Sequence, residues 1–468
     1  MIQRGGHPLS SSAAEAGAPP SGIGGGHRIE PASPRPQSAS TTVRRVSPTV
    51  PTPDTALRDE GSGSPPVRQP GDGGGSATQG LGDWTLLAIT AVVTLPILWM
   101  GYGTDIDVGD VLESAELIRR FDYAPSRNPG VPVFESIVAV LDPIGGHLAI
   151  NLATATAAGL AVVGLARLVR AWDHPNGDLV GMAFLASPVV LIAATSTGDF
   201  IWAAMFFVWG ALLHLRGRSL AAGVLFSLSI GSRMSTMFVV AAFLIADGWE
   251  PVNRRRCVRS LLVAAPLAVL MYVPSWLAFD RTFEFLNYGQ GYRGFANHLG
   301  RFLYKNFVVG GLVFIGLVAA AGPALLASLK RWGREPLVRF SFLALVATEA
   351  LFLQFPWKGV HLLPAVMALE LWIAATTRNT RPFFWALVAA GVINGLVAFR
   401  PLAPDRPDDS RGARWEPTLQ PGLVLNDIDC RLAFMSEEPH IDNGAWDCAL
   451  KPVRGPTPGS ADAATAES

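Results

Sequence analysis

Charge is what this chain has least of. Only 16% of its 468 residues are Asp, Glu, Lys or Arg, against about 25% in ordinary soluble proteins. Half of the residues are hydrophobic and the mean hydropathy is +0.32, which excludes an ordinary soluble domain. Net charge has no sign either: 37 basic residues face 37 acidic ones, so bulk charge points to no nucleic-acid partner. Cysteine is scarce, with Cys257, Cys430 and Cys448 only. The spacing contains no CxxC and no Cys/His cluster, so no structural zinc site is expected. The chain also lacks the short apolar core of a cleavable signal peptide, and no internal repeat is visible.

What is present divides into regimes. Residues 1–80 are rich in Gly, Pro, Ser and Ala, with runs such as Gly73-Gly74-Gly75. Such a segment buries too little apolar surface to offset the entropy of ordering it, so a disordered head is expected. From 81 to 400 the sequence reads as an all-α, polytopic membrane helix bundle. A spanning helix needs about 20 apolar residues, because each rises about 1.5 Å through about 30 Å of hydrocarbon. Eleven spans are expected, near 84–102, 147–169, 179–197, 200–215, 220–233, 235–247, 260–279, 307–329, 338–355, 360–376 and 382–399. The apolar piece 131–142 is too short to cross and is read as a helix at the outer face. Residues 401–468 form a short tail.

Basic residues in short loops mark the cytoplasmic side. Five clusters fall there together: Arg167/Arg170, Arg216/Arg218, Arg254-Arg255-Arg256 with Arg259, Lys330/Arg331/Arg334, and Arg378/Arg381. This holds only if 220–247 is a pair of short helices turning near Ser232-Arg233. The resulting topology is a multi-pass protein of the cell membrane, N-terminus cytoplasmic and C-terminus extracytoplasmic. Cys430 and Cys448 then lie in an oxidising compartment, where a disulfide between them is expected, two free thiols being the alternative. Cys257 sits within the cytoplasmic Arg cluster.

The first outer loop reads TDIDVGDVLESAELIRRFDYAPSRNPGVP. Asp105, Asp107 and Asp110 stand where a helix leaves the bilayer, and carboxylates there are costly unless they work. Asp110 also suits a helix N-cap. Basic residues gather on the same outer side: Arg127 in this loop, Arg233 in the short turn, Arg293, Arg301 and Lys305 in the loop after 279, and Lys358 with His361 in FPWKGVHLLP. Together they suggest an anionic ligand, since Arg and Lys clamp phosphate well. Snorkelling to lipid headgroups is the competing explanation for any one of them. Tyr123 and Glu135 could line the site or serve as turn residue and ion-pair partner. An outer site has no nucleotide sugar within reach, so an activated group must arrive on a lipid. Displacing a lipid phosphate from a sugar needs a base for the attacking hydroxyl and cations on the leaving group.

The order Asp107-x-x-x-Val111-Leu112-x-x-Ala115, then Tyr123-x-x-Ser126-Arg127-x-Pro129-Gly130-x-Pro132, resembles the GT-C glycosyltransferases, integral-membrane enzymes that use polyprenyl-phosphate sugar donors. Lys358-x-x-His361-Leu362-Leu363-Pro364 is similar to that superfamily's late motif facing the lipid phosphate, and the turn at Ser232-Arg233 to its paired short helices. The resemblance implies Asp107 as base, with Asp105 as second choice, and Lys358 and His361 facing the donor phosphate; with Arg127, Arg233, Arg293 and Arg301 from the outer charge pattern, these are the expected donor-phosphate ligands. It implies an inverting transfer to a lipid, glycan or protein acceptor at the extracytoplasmic face. No cofactor is expected, although the acidic loop leaves a divalent cation open. Two departures stand out: the acidic pair is Asp-Ile-Asp rather than Asp-Glu, and His361 occupies a place where an aromatic or Arg is common. The alternative is a transporter or flippase for an anionic lipid-linked sugar, which the ionisable residues within spans (Glu349, Glu370, His214) would suit.

Overall fold

Proline and glycine decide where the helices of this chain stop. The computed structural model describes residues 81–103, 108–282, 295–356, 358–376, 381–402 and 415–436, all in the unit that begins at Gly74. The expected disordered head, Asp105, Asp107, Arg293, Cys448 and most of the tail lie outside the described residues.

The elements run α1 (Asp83–Thr94), α2 (Val108–Arg119), α3 (Pro132–Ala171), α4 (Gly177–Ala186), α5 (Pro188–Ala194), α6 (Phe200–Leu215), α7 (Ser219–Ser232), α8 (Thr236–Gly248), α9 (Pro251–Met271), α10 (Val273–Ala278), α11 (Phe295–Ser328), α12 (Pro336–Gln354), α13 (Leu363–Thr376) and α14 (Arg381–Leu396). A hairpin of β1 (Val397–Leu402) and β2 (Trp415–Pro421) follows, antiparallel with Val397 opposite Pro421, then α15 (Leu423–Ser436). Helices α3, α5, α9 and α12 all open on a proline, where the missing N–H costs nothing.

Among the described residues the architecture is helical apart from the hairpin, which the sequence reading did not foresee. Among the described residues, five helical stretches are long and apolar enough to cross a membrane: Pro132–Ala171, Pro251–Ala278, His298–Arg331, Pro336–Gln354 and Gly359–Thr376. Helices α4 and α5 make a sixth if their 77° bend is one broken span. The expected number, eleven, is not reached by this measure, because several apolar windows hold shorter helices. The first window ends as a helix at Thr94, two residues before Pro96, which has no N–H to donate. The window 179–197 bends at Ser187-Pro188. The window 220–247 breaks between Ser232 and Thr236, in line with the expected helix pair. The expected short outer helix opens α3, and a break at Gly145-Gly146 (Gly146 φ 54°) separates it from the following span.

Each break frees backbone carbonyls, which are costly in hydrocarbon unless something donates to them. Buried asparagines do this twice. Asn151 Nδ2 donates to the carbonyls of Leu98 (3.0 Å) and Gly101 (2.7 Å) in the turn after α1. Asn394 Nδ2 donates to Val308 (3.2 Å) and Val309 (3.0 Å), beside the kink in α11 at Gly311. Gly311 has φ +71°, and a Cβ there would stand 2.5 Å from Asn394 Oδ1, so only glycine fits. Asn394→Leu is expected to cost about 2–3 kcal/mol, the desolvation of two unpaired carbonyls, read as a drop in thermal midpoint of the detergent-solubilised protein.

The basic clusters gather at one end of the bundle. Asp83 pairs with Arg167 and Arg170 (2.6 and 2.7 Å). Asp178 pairs with Arg381 (3.2 Å) and accepts from the Leu81 N–H (3.0 Å). Arg256 reaches the C-terminus of α6 at the Leu215 carbonyl (3.4 Å), and Arg339 reaches the Ala246 carbonyl (3.0 Å). Trp172, Phe243 and Phe340 pack between these groups, with Trp172 about 6 Å from each partner ring.

Candidate functional site at the opposite end of the bundle

The loop between α2 and α3 is short of regular structure and rich in proline. Its conformation is held from below by Glu135, fully buried in the first turn of α3. Glu135 accepts from Tyr123 OH (2.7 Å), the Ser126 N–H (2.8 Å) and Ser126 Oγ (2.5 Å). Burial, then the Glu135 carboxylate, push the Tyr123 phenol well above its usual pKa, so it stays a donor. The loop turns through a cis Asn128–Pro129 bond into Gly130 at φ +92°. A Cβ on Gly130 would stand 2.9 Å from both Tyr123 OH and Ser275 Oγ, so the turn requires glycine.

This scaffold presents Arg127. Its guanidinium meets Asp199 at 2.6 Å, and Arg233 from the α7–α8 break meets the other oxygen of Asp199 at 2.9 Å. Asp199 is almost wholly buried at the start of α6. Burial alone would raise its pKa, yet Arg127 and Arg233 hold it below the usual carboxylate range. Arg233 also lies over the Phe200 ring, Cζ 3.6 Å from the centroid, and the Phe200 ring neighbours His361 at 5.7 Å. One carboxylate thus fixes two guanidiniums side by side.

A cavity of about 270 Å³ opens on this group. Arg127, Arg233 and His361 supply its polar end, and Met237, Phe238, Leu351 and Phe352 from α8 and α12 supply apolar walls. An anion carrying an apolar tail matches both halves.

Three of the expected phosphate ligands, Arg127, Arg233 and His361, therefore share one cavity. Lys358 is half-buried and lies outside the described lining; its carbonyl accepts from the His361 N–H (3.1 Å). Arg301 is half-buried in the second turn of α11, also outside that lining. Tyr123 and Glu135 hold the loop from beneath, and Glu135 serves Tyr123 and Ser126, whereas Arg127 pairs with Asp199. Asp105, Asp107 and Arg293 fall outside the described residues, but the chain leading to the aspartates is anchored here. The Thr197 N–H donates to the Tyr102 carbonyl (2.7 Å), and a Cβ on Gly103 would strike Ser196 (2.6 Å).

Sequence reasoning missed two residues. Asp199 was legible as an acidic residue in a two-residue turn between apolar windows. Arg431 gave no such signal. It projects from α15, is 2% exposed, and pairs with Asp427 (2.8 Å). It donates to the Thr195 carbonyl (2.9 Å) and Ser196 Oγ (2.6 Å), clamping the segment that leads to Asp199. The neighbouring Cys430 is buried and disulfide-bonded, its expected partner Cys448 lying outside the described residues.

No family model matches this chain, and no curated protein does. Among solved structures it is similar to ArnT from Cupriavidus metallidurans, both bound to undecaprenyl phosphate and in the apo state. Each aligns at 16% identity and a TM-score of 0.49, over 78% of this chain and 74% of that one. At that identity and score the likeness assigns neither a substrate nor a residue role.

Proposed function

We propose that this chain transfers a sugar from a polyprenyl-phosphate carrier to an acceptor hydroxyl at the extracytoplasmic membrane face. The single observation behind this is the cavity in which the Arg127–Asp199–Arg233 cluster meets an apolar wall, at the end of the bundle away from the basic clusters. The positive-inside rule assigns the basic end to the cytoplasm, and hence the cavity to the outer face.

In this reading Asp107, or Asp105 as second choice, takes the proton from the acceptor hydroxyl. The acceptor oxygen attacks the anomeric carbon, and the bond from that carbon to the phosphate oxygen breaks on the opposite face. Configuration inverts, as in other single displacements at this carbon. The carrier leaves as its phosphate, which needs no protonation. Charge developing on that phosphate meets Arg127, Arg233 and His361, with Lys358, Arg301 and Arg293 as outer cations. The fixed Asp199 counter-ion sets the two guanidiniums before the donor arrives, so less ordering remains to be done on binding.

The decisive experiment is incubation of the purified full chain in lipid with a panel of radiolabelled polyprenyl-phosphate sugars. Transfer or hydrolysis of one of them is expected, and Asp107→Asn is expected to lower the rate by about 10²–10⁴ with unchanged thermal midpoint. No turnover of any donor removes the proposal, and full activity of Asp107→Asn removes that residue from it. A transporter is the second reading, favoured by ionisable groups inside apolar helices. Glu349 accepts from Asn306 (3.2 Å) beside an apolar cavity of about 590 Å³, and Glu370 is buried in α13. Movement of intact lipid across sealed vesicles without sugar transfer would select it.

A further inference from the structure

The basic end of the bundle holds a second polar cluster, built from residues far apart in sequence. His214 ends α6, Asp247 ends α8 and Cys257 lies in α9, and all three are buried. Their ligating atoms converge: His214 Nε2 to Asp247 Oδ2 3.0 Å, Cys257 Sγ to Asp247 Oδ2 3.3 Å, and Cys257 Sγ to His214 Nε2 3.7 Å. One conventional reading accounts poorly for this. The order Asp247–His214–Ser260 has the connectivity of a hydrolytic triad, with His214 Nδ1 2.8 Å from Ser260 Oγ. Yet Ser260 and His214 are both 0% exposed, and Ser260 Oγ donates to the Ser219 carbonyl, so no substrate reaches it. Arg256 covers the shared face: its Nη2 donates to both Asp247 oxygens (2.8 Å each) and its Nε approaches His214 Nε2 (3.1 Å), so a cationic group already stands where these ligating atoms converge.

We propose that His214 Nε2, Asp247 Oδ2 and Cys257 Sγ form a binding site for a soft divalent cation of the zinc type. The separations are close to what it needs. Zinc bonds of about 2.0–2.3 Å at tetrahedral angles put neighbouring ligand atoms about 3.3–3.8 Å apart; the 3.3 and 3.7 Å edges fall in that range and the 3.0 Å edge lies just below it. The donor set, one imidazole, one carboxylate and one thiolate, is the mixture such ions favour. Charge balances as well: on binding, the Cys257 thiol releases its proton to solvent, and two anionic ligands neutralise the dication. Arg256 is the competitor. It pairs with Asp247 at 2.8 Å while its side chain keeps 23% exposure, so it can swing outward, and the place it vacates becomes the fourth coordination position. Ser260 holds the imidazole by its far nitrogen, the usual second partner of a ligating histidine.

This site is separate from the anion cavity. Asp199 precedes α6 and His214 lies in its last turn, 15 residues further on, which is about 22 Å along a helix rising about 1.5 Å per residue. Motif spacing hides it, because 43 residues separate Cys257 from His214.

The test uses the full-length protein in detergent, stripped with chelator and titrated with Co²⁺, whose thiolate charge-transfer absorption reports cysteine ligation. One cobalt per chain with that band, displaced by Zn²⁺, is expected. Cys257→Ser should lose the band, and Arg256→Ala, which removes no ligand, should bind the metal about tenfold more tightly. Wild-type protein that takes up no cobalt overturns the proposal. So does a band that survives Cys257→Ser, or an affinity that Arg256→Ala leaves unchanged or weakens.

Discussion

Asp199→Ala is expected to cost about 3–5 kcal/mol of stability, because it strands two buried guanidiniums without their shared counter-ion. Arg127 and Arg233 keep only 14% and 10% side-chain exposure, so neither reaches water without moving the loop or turn that holds it. Thermal unfolding with and without the donor lipid checks this: the variant should melt lower and lose the stabilisation that bound donor gives. A midpoint within a degree of wild type would show that the pair is already solvated. Acid sensitivity should change too. The folded pKa of Asp199 lies below its ordinary value of 3.8. Its contribution is therefore complete above the unfolded value and is lost as pH falls through the folded one. Removing the carboxyl should flatten that part of the acid limb.

The second large effect is expected at Arg431. Arg431→Met keeps apolar volume but takes away the buried guanidinium that Asp427 pairs with at 2.8 Å, which costs about 3–5 kcal/mol. The double variant Arg431→Met, Asp427→Leu should recover most of it, since replacing both partners with apolar groups is often neutral. Both variants release Thr195 and Ser196 from the clamp. The double variant should therefore melt near wild type while donor affinity stays weakened, the signature of a positioning role. Donor affinity recovered along with stability would confine Arg431 to holding α15 down.

Much of this was written plainly in the chain. The pairing of two short helices at Ser232-Arg233 followed from charge bias alone, because one long helix would have put the Arg254 cluster on the wrong side. Arg127, Arg233 and His361 were singled out in the sequence as cations in loops expected on the outer side, and the structure lines one cavity with all three. What escaped depends on three-dimensional neighbours. Asp199 looked like a turn residue until two arginines, 72 and 34 residues away, proved to share it. Glu135 looked like a site or ion-pair residue, but its three hydrogen bonds go to the loop beneath Arg127. The hairpin 397–421 escaped because its first strand continues the apolar run of α14. The grouping of His214, Asp247 and Cys257 escaped because motif spacing sees only local clusters, whereas here the ends of α6 and α8 meet the second turn of α9.

One further consequence follows from how unevenly the long helices are covered. In the most apolar window of Pro251–Ala278 only 22% of the residues are buried by protein, and in that of His298–Arg331 only 17%, against 67% in Pro132–Ala171. For the first two, annular lipid supplies most of the solvation that neighbouring helices supply elsewhere. Harsh extraction should loosen these two outer staves first, and both adjoin functional ground: α9 brings Cys257 and α11 borders the larger apolar cavity. Protein purified in native nanodiscs should therefore keep properties that delipidated micelles erase.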